Sequence, residues 1–460
     1  MAEQTQTNMT QRQHLDVQAF LNQQPFTKFQ WRIFILSFLI VLLDGFDTGA
    51  VGFVAPSLIK EWGVTRPALA PVLSAALFGL AAGALVAGPL ADRLGRKVVL
   101  VASVVLFGAA SLAGGFVANL GQLTVLRCVA GVGLGAAMPN AVTLFSEYCP
   151  ERSRSALTNA MFCGFPLGAS LGGVLAAWLI PHLGWRSVFM LGGILPLVLT
   201  AFLVFGLPES VRHLIARHSP VEPIRAILRR IAPLPEGVQN FELREVARGA
   251  VVGGLRLVLS RSYLVGSVML WVTYFSGLVI FYALINWLPL LLRDSGLAPQ
   301  QATLVSALFP LGGIGAVASG WLMDRFNANR IVAIGYALTA ISLYAVGQAV
   351  GQVGLLVLTV FVAGIFFNTS QSSLGSLAAA FYPTQGRATG VAWMMGVGRF
   401  GGIVGSFLVA ELTRRQLDFG TIFSVMCIPG LIACVALLIK QLTHPEKAQE
   451  LVAERAVVSH

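Results

Sequence analysis

Four charged side chains lie in stretches of the sequence that are otherwise apolar. Asp44 and Asp47 stand three residues apart in one stretch, and Arg127 and Arg399 each interrupt another. On a helix this spacing puts both aspartates on one face, and two carboxylates that close in a poorly solvated cavity do not both ionise readily. We therefore expect them to take up and release protons. A guanidinium binds a carboxylate through two parallel hydrogen bonds, so the arginines suit a carboxylate partner.

The partner of each arginine is open at this point. We expect Arg127 to pair with the aspartates, since all three belong to the first half of the chain, and Arg399 to bind a substrate carboxylate; the reverse assignment is the alternative. A third interpretation is that these charges only lock helix packing. Polar and aromatic side chains of the second half suit a flat ring that bears a carboxylate or hydroxyl group. They are Trp271, Tyr274, Phe275, Tyr282, Asn286, Asn368, Gln371 and Trp393.

Helices that cross a membrane must position these residues. The 460 residues are 56% hydrophobic and 11% charged, whereas an ordinary soluble domain has about 25% charged residues. Apolar segments of about 20 residues, the length that spans a bilayer core, recur along the chain. They predict an all-α membrane protein of twelve helices in two six-helix bundles. The predicted helices are 31–54, 69–91, 98–118, 120–144, 157–180 and 186–206, then 264–292, 301–323, 330–350, 354–380, 389–412 and 419–441.

Polar segments divide the chain. The predicted division is a tail at 1–30, a bundle at 31–206, a linker at 207–263, a bundle at 264–441 and a tail at 442–460. Most of the 31 Lys and Arg residues lie in the tails, the linker and the loops on one side, which places both termini in the cytoplasm. The charge of +11 thus reflects topology and not a nucleic-acid partner. We expect the linker to be a solvated tether, with a regulatory role as the alternative. Residues 224–231 and 241–259 suit amphipathic helices that lie on the membrane surface.

A loop with the pattern Gly-x-x-x-Asp-Arg occurs twice, after the second and the eighth predicted helices. Its glycine allows a neighbouring helix to approach, and its aspartate can accept hydrogen bonds from the amino end of an adjacent helix and from arginine, which would form a conformational latch. We expect Glu147 to form a gate ion pair with Arg96 or Arg152 nearby. The first copy contains Gly88, Asp92, Arg93, Gly95 and Arg96, and the second contains Gly320, Asp324 and Arg325. Arg387, after the tenth predicted helix, is a further expected latch residue.

Other kinds of chemistry find no support in the sequence. No group of nucleophile, base and orienting residue predicts an enzyme, and no cofactor or metal site is expected. No phosphate-binding loop is present, so an ion gradient is the expected source of energy. The cysteines show no pairing pattern and are expected to be buried hydrophobic residues. They are Cys128, Cys149, Cys163, Cys427 and Cys434.

The latch loop resembles the signature of the major facilitator superfamily. Together with Asp44-Gly45-Phe46-Asp47, 127–140 and 382–390, it resembles the aromatic acid:proton symporters, and among these the chain is most similar to the 4-hydroxybenzoate and protocatechuate permeases. The resemblance implies two bundles that rock around a site near the bilayer midplane. It further implies proton coupling by Asp44 and Asp47, support of transport by Arg127 and Glu147, latches at Asp92 and Asp324, and an arginine of importance near Arg387 and Arg399.

The expected function is proton-coupled uptake of an aromatic carboxylate, such as 4-hydroxybenzoate, protocatechuate or benzoate, across a bacterial inner membrane by a monomer. Two alternatives stay open. One is a proton-coupled exporter of organic anions or drugs, although 164–168 lacks the Gly-Pro pair usual in exporters of this superfamily. The other is a transporter-like ligand sensor, although the sequence has no fused signalling domain.

Overall fold

The computed structural model describes residues 14–235, 238, 240–242, 254–315, 322–323, 325–382 and 384–443. Within these ranges, 11 helices are long and apolar enough to cross a membrane. They match eleven of the predicted helices in order. The remaining prediction, 301–323, is helical from Pro299 to Leu311 and continues as a 3-10 turn to Gly315. The twelve-helix architecture predicted from hydropathy is therefore confirmed.

The first half of the chain contains one strand and ten helices in the described residues up to 235. They are β1 (His14–Asp16), α1 (Val17–Gln23), α2 (Lys28–Trp62), α3 (Ala70–Leu94), α4 (Arg96–Gly114), α5 (Leu120–Glu147), α6 (Glu151–Phe162), α7 (Gly164–Leu183), α8 (Arg186–Gly206), α9 (Val211–Ala216) and α10 (Val221–Leu228). A 3-10 turn at Arg66–Leu69 precedes α3.

The described residues from 238 onward contain one further strand and seven helices. They are β2 (Asn240–Glu242), α11 (Gly254–Val258), α12 (Leu264–Asp294), α13 (Pro299–Leu311), α14 (Ala328–Gln348), α15 (Val353–Phe381), α16 (Thr384–Arg414) and α17 (Phe419–Thr443).

Local sequence explains where the helices begin, end and break. Helix α2 begins with a capping box between Thr27 and Gln30 and ends at Gly63 in the left-handed conformation, which glycine adopts without a steric penalty. The single helix predicted at 157–180 is instead two helices that meet at Cys163. Pro166 contributes to this break, because it has no N–H with which to continue the backbone ladder.

The two halves pack in the same way. In the first half α2 packs on α7, α3 on α5 and α4 on α8; the corresponding pairs in the second are α12 with α16, α13 with α15 and α14 with α17. Small residues allow some of these contacts: a Cβ atom at Gly131 or Gly135 of α5 would collide with the backbone of α3. The halves meet along α2 with α12, α3 with α16 and α7 with α13. The tandem suggested by the repeated loops is thus visible in the packing.

The linker folds against the amino-terminal tail. Strands β1 and β2 pair in parallel, with Leu15 opposite Phe241. Apolar side chains of the tail, among them Phe20 and Leu21, share a buried cluster with Ile224 and Leu228 of α10. The expectation of a solvated tether is therefore wrong for the described linker residues, because its apolar face finds a partner in the tail. Of the helix considered for 241–259, residues 241–242 belong to β2 instead, 254–258 form α11, and 243–253 lie outside the described residues.

The two ends of the bundles differ. We call the end that carries β1, β2 and the linker helices the terminus side and the opposite end the far side. On the far side Arg66 and Asp294 form an ion pair of 2.9 Å between the halves, and the Arg293 guanidinium donates to the Pro56 carbonyl at 2.8 Å. Towards the terminus side, Trp393 of α16 is 44% exposed. The far side is the end at which the halves are tied together.

Candidate substrate and proton site

Asp47 and Arg127 form a buried ion pair in the first half. They are 1% and 2% exposed, and Nη1 of Arg127 lies 2.9 Å from both carboxylate oxygens of Asp47. Nη2 of Arg127 donates to the Asp47 backbone carbonyl at 3.2 Å. The hydroxyl of Ser111 adds a third donor, 2.6 Å from Oδ1. Helices α2, α4 and α5 thus meet around one carboxylate, as the pairing expected for Arg127 requires.

Asp44, one turn earlier, has a different environment. It is 3% exposed, and its hydrogen-bond donor is the Thr48 hydroxyl at 3.4 Å, close to the limit for such a bond. In the described part of the chain no lysine or arginine lies within 4.0 Å of it; the charges of Asp47, Arg399 and Arg127 act on it from further away. A buried charge without a partner is costly, so of the two aspartates Asp44 is the one suited to hold a proton.

Arg399 faces Asp44 from the second half. Its guanidinium donates one long hydrogen bond, 3.3 Å, to the Leu80 carbonyl of α3, across the boundary between the halves. No carboxylate in the described ranges lies within 4.0 Å of it. The ring of Tyr274 packs against Gly398, the neighbour of Arg399, and the ring of Tyr282 packs against Gly402. A half-buried guanidinium with no carboxylate within 4.0 Å in the described residues is suited to bind a carboxylate ligand.

A narrow cavity runs between the halves at this level. Its lining includes Thr48, Leu77, Leu80, Arg127, Tyr282 and Asn286. It therefore brings together side chains of α2, α3, α5 and α12.

Two of the predicted ligand residues form hydrogen bonds within the protein. The amide of Asn286 donates to the Leu73 carbonyl of the first half at 3.3 Å and to the Ser406 hydroxyl at 2.9 Å. Asn368 donates to the carbonyls of Phe309 and Gly364 at 2.8 and 2.9 Å and so ties α15 to α13. In this conformation the side-chain amide groups of both asparagines form hydrogen bonds between helices.

Two others have different surroundings. Trp393 stacks on Trp271 with ring centroids 5.9 Å apart. The Gln371 carbonyl oxygen accepts from the Tyr336 hydroxyl at 2.6 Å, whereas its Nε2 is buried without a hydrogen-bond partner in the described structure. These groups lie on the second-half side of the site.

The first latch loop is held by residues that sequence reasoning missed. Arg96 forms an ion pair with Glu147, one of the two pairings expected. Glu209, which follows α8, accepts from the backbone N–H groups of Arg96 and Lys97 at 2.9 and 3.1 Å. It thereby occupies the amino end of α4, the position expected for Asp92. Asp92 itself is exposed and has no ion pair in the described structure.

The remaining latch residues differ in what the structure describes. A Cβ atom at Gly88 would meet nothing within 4 Å, so the close helix approach expected there is absent from this conformation. Gly95 has φ +97° and lies in the region that favours glycine. The Arg93 carbonyl accepts from Arg217. Gly320 and Asp324 of the second copy lie outside the described residues. The side chains of Arg325 and Arg387 are exposed.

Tyr148 and Cys149 lie beside this loop, after the end of α5. The Tyr148 hydroxyl donates to the Glu209 carbonyl at 2.5 Å, and burial raises the pKa of that hydroxyl well above its usual value. Burial also raises the pKa of the Cys149 thiol to about 12. The expectation that every cysteine is buried holds fully for Cys149 alone: Cys163, at the break between α6 and α7, is exposed, and the other three are half-buried.

The sequence profile of the Major Facilitator Superfamily matches residues 37–317 and 291–459. The chain belongs to this superfamily. The predicted resemblance is confirmed more closely by individual relatives. The chain is 50% identical over 432 residues to the 4-hydroxybenzoate transporter PcaK of Pseudomonas aeruginosa, covering 94% of this chain and 96% of the relative. It is 45% identical over 425 residues to a gallate transporter of Pseudomonas putida, a match that covers 92% of this chain and 94% of the relative.

Solved structures of the superfamily share the fold at low sequence identity. The D-xylose-proton symporter is 17% identical, with a TM-score of 0.70, and the match covers 88% of this chain and 97% of that one. At this identity the similarity concerns the arrangement of helices alone. It agrees with the two six-helix bundles described above.

An aromatic row in this superfamily member was missed by sequence reasoning. Phe165 of α7 lies 5.9 Å from Phe281 of α12, which lies 6.1 Å from Phe367 of α15. The row therefore joins the two halves beside Tyr282. With 29 phenylalanines in apolar stretches, residue type alone could not single these out. The one local signal was Pro166, which follows Phe165 at the break between α6 and α7.

Proposed function

We propose that the chain takes up an aromatic carboxylate together with protons. The observation that carries this proposal is Arg399, a guanidinium at the boundary between the halves that has no carboxylate within 4.0 Å in the described residues and lies in electrostatic range of the buried carboxyl of Asp44. Curated relatives that match nearly the whole chain are named as transporters of 4-hydroxybenzoate and gallate. Both names denote flat rings with a carboxylate, the group that Arg399 would bind.

The arrangement provides a way to couple the two ligands. Without substrate, the positive charge of Arg399 favours the ionised form of Asp44. A substrate carboxylate on Arg399 neutralises that charge and adds a negative one nearby, so Asp44 gains a proton more readily. By linkage, protonation of Asp44 strengthens binding of the anion to the same degree. The loaded site then holds substrate and proton together, as symport requires.

Arg127 has a separate task in this scheme. Its ion pair with Asp47 holds a second carboxylate in place one turn from Asp44. Rocking of the halves about α2 with α12 and α3 with α16 would expose the site to one side and then the other. The described conformation is tied on the far side, at Arg66 and Asp294.

We place the terminus side in the cytoplasm of a bacterial inner membrane, on the distribution of Lys and Arg. In this orientation the far side faces the source of substrate. A membrane potential that is negative inside drives positive charge inward with about 2.3 kcal/mol per charge per 100 mV. An anion carried with more than one proton would therefore accumulate inside.

Purified protein in proteoliposomes tests the proposal. Under an inside-alkaline pH gradient, labelled 4-hydroxybenzoate should accumulate above its outside concentration, and a protonophore should abolish this accumulation. Arg399→Gln should lose uptake, whereas Arg414→Gln, at the exposed end of the same helix, should retain it. Uptake that ignores the protonophore would contradict proton coupling. Proton-dependent efflux without uptake would favour an exporter, and binding without flux would favour a sensor.

A further inference from the structure

Gln371 of α15 has a buried amide group whose oxygen is hydrogen-bonded and whose nitrogen is not. Its Oε1 accepts from the Tyr336 hydroxyl at 2.6 Å, and Tyr336 is fully buried. Its Nε2 is buried and has no partner in the described structure. Most buried side-chain polar atoms in proteins have a hydrogen-bond partner, so this one needs an explanation.

The surroundings of the amide are shaped to hold it. A Cβ atom at Gly277 of α12 would collide with Oε1 of Gln371 and with the Tyr336 hydroxyl. Glycine at 277 therefore leaves room for the amide between α12, α14 and α15. The Tyr336 hydroxyl in turn restrains the amide from the other side. Gln371 is a polar group held in place.

A chain of polar groups links this amide to Arg399. Tyr274 lies one turn before Gly277 on the same helix, α12, and Gly277 contacts Gln371 and Tyr336. Tyr274 also packs against Gly398, the neighbour of Arg399. A ring whose carboxylate lies on Arg399 and whose plane lies along Tyr274 would point its opposite edge towards Gln371.

We propose that Gln371 hydrogen-bonds a hydroxyl group on the ring of the bound acid, so that the chain selects hydroxylated aromatic acids over unsubstituted ones. This inference rests on the proposed function. A ring hydroxyl both donates and accepts, so it satisfies the amide whichever of its ends faces the ligand. Benzoate would leave the buried amide group unpaired. From the cost of an unpaired buried donor we expect roughly tenfold to hundredfold weaker binding of benzoate than of 4-hydroxybenzoate.

The variant Gln371→Leu tests this assignment, because leucine has a similar volume and no amide. Inhibition constants for 4-hydroxybenzoate and benzoate are measured by their competition with labelled 4-hydroxybenzoate counterflow in proteoliposomes. We expect the ratio of the two constants to fall at least about tenfold in the variant, through weaker binding of 4-hydroxybenzoate. Binding of benzoate should be unchanged or stronger. Tyr336→Phe frees the amide and should lower the ratio by a smaller factor.

Two controls make the result specific. Gln348→Leu replaces an exposed glutamine at the end of α14 and should leave the ratio as in the wild type. Trp271→Phe removes an indole N–H that is likewise buried without a hydrogen-bond partner in the described part of the chain. If this variant abolishes the selectivity and Gln371→Leu does not, the assignment to Gln371 is overturned.

Other outcomes separate this inference from the proposed function. Equal weakening of both acids in Gln371→Leu would mean a packing role and would overturn the inference alone. An unchanged ratio would do the same. If the wild-type protein binds neither acid, the proposed function and the inference both fail.

Discussion

The two aspartates of α2 should respond very differently to the same substitution. In Asp47→Asn the Arg127 guanidinium, 2% exposed, loses its carboxylate partner. Removal of one member of a buried ion pair costs about 3–5 kcal/mol. In Asp44→Asn the structure loses one hydrogen bond of 3.4 Å, and a typical hydrogen bond contributes about 1 kcal/mol. The free energy of unfolding should therefore fall by at least about 2 kcal/mol more for Asp47→Asn than for Asp44→Asn.

Among the molecules that fold, Asp44→Asn should impair accumulation of the acid more than Asp47→Asn does. Asp44→Asn should fold, bind 4-hydroxybenzoate and exchange it across the membrane, because the Arg399 site remains. It should not accumulate the acid under a pH gradient, because the amide cannot carry a proton. The two assays are thermal unfolding in detergent and uptake compared with counterflow in proteoliposomes.

A double variant distinguishes charge from packing. Replacing Asp47 by Asn and Arg127 by Gln together removes the unpaired charge and should recover part of the stability lost in Asp47→Asn. Equal melting temperatures for the two single variants would refute the assignment of the ion pair to Asp47. Normal accumulation by Asp44→Asn would refute its role as proton carrier.

Further predictions concern other parts of the fold. Arg66→Gln removes the far-side ion pair with Asp294. This pair is partly exposed and contributes about 0–1 kcal/mol, so the outward-facing population should rise at most about fivefold. The accessibility of cysteines introduced on the two sides measures this population. Gly131→Ala should lower the melting temperature by overpacking α3 against α5, whereas Gly88→Ala, which meets open space, should not. With its pKa raised to about 12, Cys149 is a neutral thiol at pH 8 and ionises only as the pH approaches that value, so iodoacetamide should spare Cys149 in the folded protein and label it after unfolding; strong labelling of Cys149 in the folded protein at pH 8 would contradict its burial.

The sequence was informative where the bilayer dictates the pattern. Segments of about 20 apolar residues give the helices, since any spanning segment must satisfy its own backbone. The choice of Arg127 as the partner of an aspartate was also correct in the structure. The sequence could not say which aspartate, because Asp44 and Asp47 share a helix face and only the rotation of α2 against α5 brings Asp47 to Nη1 of Arg127.

Contacts between distant segments account for most of the differences between the predictions from sequence and the structure. Glu209 occupies the amino end of α4 although it follows α8, and nothing in its own segment marks it for that place. The parallel pairing of β1 with β2 involves three residues from each strand, too few to predict from alternation. Asn368 has the composition expected of a ligand residue, and only its hydrogen bonds to α13 reveal that its amide N–H groups are used in packing.

The pairing of β1 with β2 has a consequence for how the protein is made. About 225 residues separate His14 from Asn240, and synthesis proceeds at about 5–20 residues per second. Strand β1 must therefore wait at least roughly 10 s before β2 exists. During this time the six transmembrane helices of the first half enter the membrane with β1 unpaired. Closure of β1 onto β2 is thus a late event that can occur only after the first bundle is complete.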